Sequence, residues 1–146
     1  MIAMTTMPPP STPQLEADFL ELRYRPDVHY LVARWRRPVS AAELRQGYYA
    51  MLRLAREVNC ACWKVDLRSR NAPDEADRRW VNLEFLTQAA QRLDAPVCLG
   101  YLLTPSLLAQ LGSPTAGPNR VAFFCDEGPL TEWLMQCQEC QPGLAA

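Results

Sequence analysis

Residues 61–80, ACWKVDLRSRNAPDEADRRW, constrain the fold more than any other stretch of the chain. The apolar run at residues 60–67 is typical of a mostly buried central strand. A charged loop at residues 68–73 follows, and Asp74 is then placed to cap a helix whose first turn is acidic. A strand that leads into a helix is the repeating unit of α/β folds, so this stretch predicts an α/β domain.

The segment before this stretch predicts a hairpin followed by a helix. Residues 18–24 and 28–36 have the pattern of two strands joined by a short turn, and an antiparallel hairpin is their simplest pairing. In the second strand, His29 shares a face with Leu31. Ser40 and Glu43 have the spacing of a capping box, which predicts that a helix begins there.

The segment after it repeats strand and helix. Residues 96–103 and 121–125 predict two further strands, and residues 104–111 and 129–137 predict two further helices. The helix that follows Asp74 is expected to turn one apolar stripe to the core, formed by Trp80, Leu83, Leu86, Ala90 and Leu93. The element order predicts a largely parallel sheet with an antiparallel hairpin at its start.

Composition indicates one domain. The chain has 146 residues, of which 49% are hydrophobic, enough for one core. We predict a proline-rich disordered tail at residues 1–14, the domain at residues 15–137 and a second tail at residues 138–146. No apolar run approaches the roughly 20 residues of a membrane span, and the N-terminus lacks a basic start, so we expect a soluble cytoplasmic protein.

Several segments, in this order, resemble the STAS/SpoIIAA-like domain family, and especially its small stand-alone bacterial members. They are RPVSAAEL at residues 37–44, WKVDLR at residues 63–68, the Trp80, Phe85 and Leu86 set, and VAFFCDE with a later Trp-Leu pair at residues 121–134. The resemblance implies a four- to five-stranded mixed sheet with helices packed mainly on one face.

The best-known members of this family act by protein association, under control of a phosphorylatable serine in D-S-S-G at the start of the helix after the central strand. The matching residues here, 71–76, contain no serine, and Ser69 lies earlier, in the loop. The resemblance therefore implies a regulatory association module without the usual phosphorylation site.

The sequence gives little support for catalysis. Enzymes usually need a positioned base, a nucleophile or a metal, and the chain has one histidine and no nucleotide-binding or nucleophile-elbow motif among its six glycines. We therefore expect a protein that is not an enzyme and needs no cofactor.

The six cysteines are expected to be reduced, since a domain of this size does not need disulfides. Cys60 with Cys62, and Cys137 with Cys140, have ligand-like spacing and would form a zinc site if the pairs met in space. Small buried thiols that pack in the core are the alternative, and the one we favour.

Polar side chains follow the predicted strands at their carboxyl ends, where ligands and partners of open α/β sheets bind. The candidate site residues are Asp66, Arg68, Arg70, Arg78, Thr104 and Asp126. One interpretation is that the arginines form salt bridges with Asp126 across the sheet edge. The other is that this edge recognises an anionic group or an acidic protein surface.

Two functions follow from these patterns. The first is non-enzymatic protein association, as a homodimer or with another protein, through the exposed apolar candidates Tyr30, Val32 and Tyr49. The second is binding of a small anionic ligand at the strand ends. A net charge of −1 and the lack of a basic and aromatic pattern argue against nucleic acid.

Overall fold

The structure, a computed structural model, describes residues 14–113 and 117–139, and the side chains of residues 17–113 and 117–138. Its strands are β1 (Gln14–Ala17), β2 (Leu20–Arg25), β3 (Tyr30–Trp35), β4 (Cys62–Asp66), β5 (Cys98–Leu102) and β6 (Arg120–Phe124). Its helices are α1 (Ala41–Val58), α2 (Glu75–Arg79), α3 (Leu86–Leu93), α4 (Pro105–Leu111) and α5 (Glu127–Glu139), with a π-helical segment (Trp80–Phe85) joining α2 to α3. Most of the two predicted tails, residues 1–13 and 140–146, lies outside the described residues.

The strands form one sheet in which spatial order follows chain order. β1, β2 and β3 pair antiparallel, and β3 to β6 pair parallel. The α/β class, the mixed sheet and the hairpin at its start are therefore confirmed. The sequence pattern does not predict β1. This strand has only four residues and a register shift, so its apolar and polar side chains do not alternate. His29 is not in the second strand as predicted; it lies in the turn before β3, with a left-handed φ of 56°.

Alternation along the strands divides the core into two layers. Trp63, Val65 and Tyr101 pack in the larger cluster, together with apolar residues of α1 and α3. Cys62 and Cys98 point to the opposite face, where they pack against α5. The helices thus lie mainly on one face, as expected, and α5 covers part of the other face, over β4, β5 and β6.

The capping box that begins α1 is confirmed. The Ser40 hydroxyl accepts a hydrogen bond from the Glu43 amide at 3.2 Å, and the Glu43 carboxylate accepts one from the Ser40 amide at 3.0 Å. Arg37 also pairs with Glu43, and its hydrogen bond lowers the pKa of that carboxyl to about 2. This end of α1 is therefore well fixed relative to β3.

The apolar stripe of the helix after Asp74 differs from the prediction. Leu83, expected in the core, is 58% exposed, whereas Val81, Phe85 and Ala89 are buried. The reason is the π-helical segment, because its wider turn shifts the side chains that follow out of the period of 3.6 residues. The prediction assumed a regular α-helix and therefore placed Leu83 on the wrong face.

Gly47 of α1 makes room for a tryptophan. A Cβ atom at this position would lie 2.3 Å from Cη2 of Trp35, which is fully buried. The indole also stacks on Phe19 and contacts Tyr48. The spacing between α1 and β3 is therefore set by an indole packed directly against helix backbone.

We predict that Gly47→Ala lowers the free energy of unfolding by ~1–3 kcal/mol, because overpacking costs more than the helix propensity gained. Urea denaturation measures this. Gln46→Ala, at the neighbouring exposed position, is the control and should change stability by less than about 0.5 kcal/mol. Equal stability of Gly47→Ala and wild type would contradict the packing argument.

Candidate anion-binding site

The six predicted site residues do not form one site. Arg70 and Arg78 line a cavity on the face covered by α1 and α3, whereas Asp66 and Arg68 line a groove on the opposite face. Thr104 caps α4 by accepting a hydrogen bond from the Leu107 amide at 3.1 Å. Asp126 is exposed just before α5. The six residues thus divide between a cavity with two arginines, a groove with an Asp–Arg pair, and two separate positions.

Arg70 is a buried cation without a carboxylate partner among the described residues. Its backbone amide donates to the Leu67 carbonyl at 3.0 Å, a turn that directs the chain back over the end of β4. The residue is only 7% exposed, and the guanidinium carbon lies 5.0 Å from the centre of the Trp35 ring. Its Nε atom is buried without an acceptor. Stacking on an indole offsets part of the cost of burying this charge but supplies no hydrogen-bond acceptor.

Two buried phenols accompany Arg70. The hydroxyls of Tyr48 and Tyr101 lie 2.9 Å apart. Burial raises the pKa of Tyr48, and burial also raises the pKa of Tyr101 well above its ordinary value; the charge of Arg70 acts on both in the opposite direction. Both phenols are therefore protonated at neutral pH. Since only one hydrogen is used between the two oxygens, one O–H remains to donate elsewhere.

The cavity that contains these groups has a volume of about 210 Å³. It lies near the carboxyl ends of β4, β5 and β6, the edge where open α/β sheets bind ligands. Val81 and Asn82, from the π-helical segment, form part of its wall. π-Helical turns are frequent at functional sites, which makes this irregularity a second sign of function. Arg78 and Arg79 of α2 also line the cavity, half-buried and exposed respectively.

The sequence did not indicate Tyr48 or Tyr101. Tyr48 belongs to the apolar stripe of α1, and Tyr101 lies within an apolar strand, so each is indistinguishable by pattern from a core aromatic residue. The available signal was that a buried tyrosine hydroxyl needs a partner. The chain provides one by placing the two phenols opposite each other across the core.

Arg68, unlike Arg70, has carboxylate partners within the fold. Its guanidinium donates to both carboxylate oxygens of Asp66, at 3.1 and 2.8 Å, and lies 3.7 Å from Glu127. Burial raises the pKa of Asp66, whereas the hydrogen bonds from Arg68 lower this pKa. The lowering effects outweigh burial, so the net shift is downward. Lys64 pairs with Glu127 at 2.7 Å. The salt bridges predicted between Asp126 and the arginines are therefore wrong in their partners: Arg68 pairs with Asp66 and Glu127.

Four cysteines pack together between the sheet and α5: Cys60, Cys62 and Cys98, with Cys137 on α5 itself. All four residues are buried, and burial raises the pKa of Cys60 to about 11 and that of Cys137 to about 12. Protonated buried thiols pack well and react slowly. Within residues 14–113 and 117–139, no group of three or more His, Cys, Asp or Glu is arranged to hold a metal ion, and Cys140 lies outside that part of the chain.

Of the apolar residues predicted to be exposed, Tyr30 is buried, since it points to the face covered by α5. Val32 is half-buried and Tyr49 is 42% exposed. Tyr49 contacts Trp80 and Phe85 edge-on, so part of its ring packs within the fold. The three residues therefore do not form one exposed apolar patch.

Comparison of the sequence with protein-family models gives no match, and comparison with the curated proteins gives none either. The resemblance to STAS/SpoIIAA-like domains thus stays a prediction. Among the described residues, no helix is both long enough and apolar enough to cross a bilayer.

We predict that Arg70→Met raises the free energy of unfolding by ~1 kcal/mol, because an apolar side chain of similar length removes the cost of a buried, unpaired cation. Urea denaturation is the measurement. Arg68→Met is the matched control and should instead lower stability, since it leaves the buried Asp66 without its partner. Marked destabilisation by Arg70→Met would show that the guanidinium serves mainly to support the core.

The raised pKa values of the phenols predict loss of stability at alkaline pH. Their folded-state pKa lies above the unfolded value of about 10, so their contribution is fully present below about pH 10 and is lost as pH rises through the folded-state values. The double variant Tyr48→Phe/Tyr101→Phe should lose less stability than wild type between about pH 8 and about pH 11. The thiols contribute equally in both proteins, so equal losses would contradict this assignment.

Proposed function

We propose that this chain is a binding module for a small organic anion, held in the cavity around Arg70. The observation that carries the proposal is the guanidinium of Arg70, buried beside two protonated phenols with no carboxylate partner among the described residues. A charge buried in this way is costly unless something neutralises it. An anion in the cavity would do so.

The donors present match an anion better than any other ligand. A guanidinium presents paired N–H groups to a carboxylate or phosphate, and such charge-assisted hydrogen bonds are about twice as strong as neutral ones. The free phenol O–H adds a third donor. Since Arg70 and both tyrosines are buried, these interactions are stronger than they would be on the surface.

We also propose that the module binds without catalysing a reaction. Glu75, which also lines the cavity, is exposed, and the buried polar groups of the site are one arginine and two tyrosines whose pKa values are raised. None of these is a base at neutral pH, and general base catalysis requires one. The single histidine lies in the β2–β3 turn, where it hydrogen-bonds Tyr24.

Protein association, including a homodimer, stays a prediction. Its apolar candidates lie apart and one is buried, whereas the Arg70 cavity brings together a cation, donors and a defined volume. Ligand binding and association are compatible, since the cavity occupies one face of the sheet and the groove lined by Glu21, Arg23 and Val32 lies on the other.

Thermal melting with sodium acetate, benzoate and phosphate at constant ionic strength tests the proposal. We expect at least one anion, at about 100 times its Kd, to raise the Tm of wild type by about 5 °C or more, and to leave Arg70→Met unchanged. Arg68→Met should respond as wild type does. If no anion raises the Tm of wild type, or if an anion raises the Tm of Arg70→Met equally, the proposal is ruled out.

A further inference from the structure

We infer that the anion bound at Arg70 is a monocarboxylate attached to a flat apolar ring. This inference rests on the proposed function and names the ligand class of the same site. It follows from three properties of the cavity, which are its volume, the chemistry of its walls and the number of its donors.

The volume fits one ring and one small acidic group. An apolar protein cavity of about 150 Å³ is known to accept benzene. The cavity of about 210 Å³ therefore has room for a six-membered ring with a carboxylate.

Glu75, Arg78, Arg79, Asn82 and Ser113 form a polar part of the cavity wall, and most of the remaining wall is apolar. Phe123 meets Tyr101 edge-on, with ring centroids 5.7 Å apart, so aromatic surface lies directly beside the phenol pair. Further apolar walls come from sheet, helices and loops, and are formed by Leu44, Leu67, Pro73, Val81, Leu111 and Val121. Such walls favour a hydrophobic ligand body, since ligand sites generally combine apolar walls with a few polar groups that fix orientation.

The donors match one carboxylate. Two of its lone-pair directions can accept from the guanidinium of Arg70, and another can accept from the free phenol O–H. A phosphate monoester carries a third oxygen and nearly a second charge, which would need another buried donor. Arg78 is half-buried and Arg79 is exposed on α2, and Glu75 lines the same cavity, so the two arginines are better placed to attract anions than to pair with a buried charge.

Isothermal titration with four ligands tests the inference on the full chain. Benzoate has both an aromatic ring and a single negative charge. Benzamide has the ring without the charge, and acetate has the charge without the ring. Phenyl phosphate has the ring with a larger negative charge. We expect benzoate to bind at least about tenfold more tightly than each of the other three ligands. Benzamide lacks the charge, acetate lacks the ring, and phenyl phosphate adds a charge that has no partner in the site.

Variants assign the effect to named atoms. Arg70→Met should weaken benzoate binding by about tenfold or more, and Arg70→Lys, which keeps the charge without the paired donors, should fall between it and wild type. Tyr101→Phe should weaken benzoate binding by a few fold, since it removes one hydroxyl of the pair. Arg68→Met is the control on the opposite face and should bind as wild type does.

The possible outcomes separate the inference from the proposed function. If acetate or phenyl phosphate binds as tightly as benzoate and depends on Arg70, the ring monocarboxylate is overturned while anion binding stands. If benzamide binds as tightly as benzoate, or if Arg70→Met has no effect, both are overturned. If none of the four ligands binds, the ring monocarboxylate is overturned, and the response to inorganic phosphate decides whether anion binding survives.

Discussion

The indole of Trp35 is the interaction on which the candidate site depends. It fills the space over Gly47, stacks on Phe19 and forms the surface on which Arg70 lies. Its own Nε1 is buried without a partner, a cost of about 1–3 kcal/mol that the burial of so large an apolar ring outweighs. With a smaller side chain at this position, α1 would have no fixed distance from β3, and Arg70 would lose its support.

Arg68 and Arg70 lie two residues apart in one loop and have opposite electrostatic settings. Arg68 folds back onto Asp66, two residues earlier, and approaches Glu127 of α5, so its charge is neutralised within the fold. Arg70 turns to the other face, where the described residues offer a ring and two neutral phenols. Since Arg68 has carboxylate partners within the fold and Arg70 has none among the described residues, we propose that the counterion of Arg70 is a ligand.

The sequence predicted the fold well because the fold depends on local periodicity. The Ser40 and Glu43 capping box and the apolar run of β4 and β5 were readable from spacing alone. The sequence predicted only part of the candidate site. Alternation of apolar and polar residues assigns side chains to a face of the sheet only within a strand, and nothing in the loop pattern indicates which face Arg68 or Arg70 reaches. The π-helical segment was not readable either, because its signal is a single shift in the apolar stripe, seen at Leu83 and Phe85.

A buried, unpaired cation also links ligand binding to stability. The free protein carries the cost of desolvating Arg70, and an anion that neutralises it removes that cost only in the folded state. Binding then adds to the free energy of unfolding by RT ln(1 + [L]/Kd), so the folded population reports the ligand concentration. The covering elements are suited to this coupling, because α2 has no buried residue and the π-helical segment beside it carries Val81 and Asn82 of the cavity wall. The α2 part of the cavity wall is therefore held by few core contacts, whereas Val81 of the π-helical segment is buried in the core, and we expect an anion at Arg70 to stabilise α2 while leaving the α5 face unchanged.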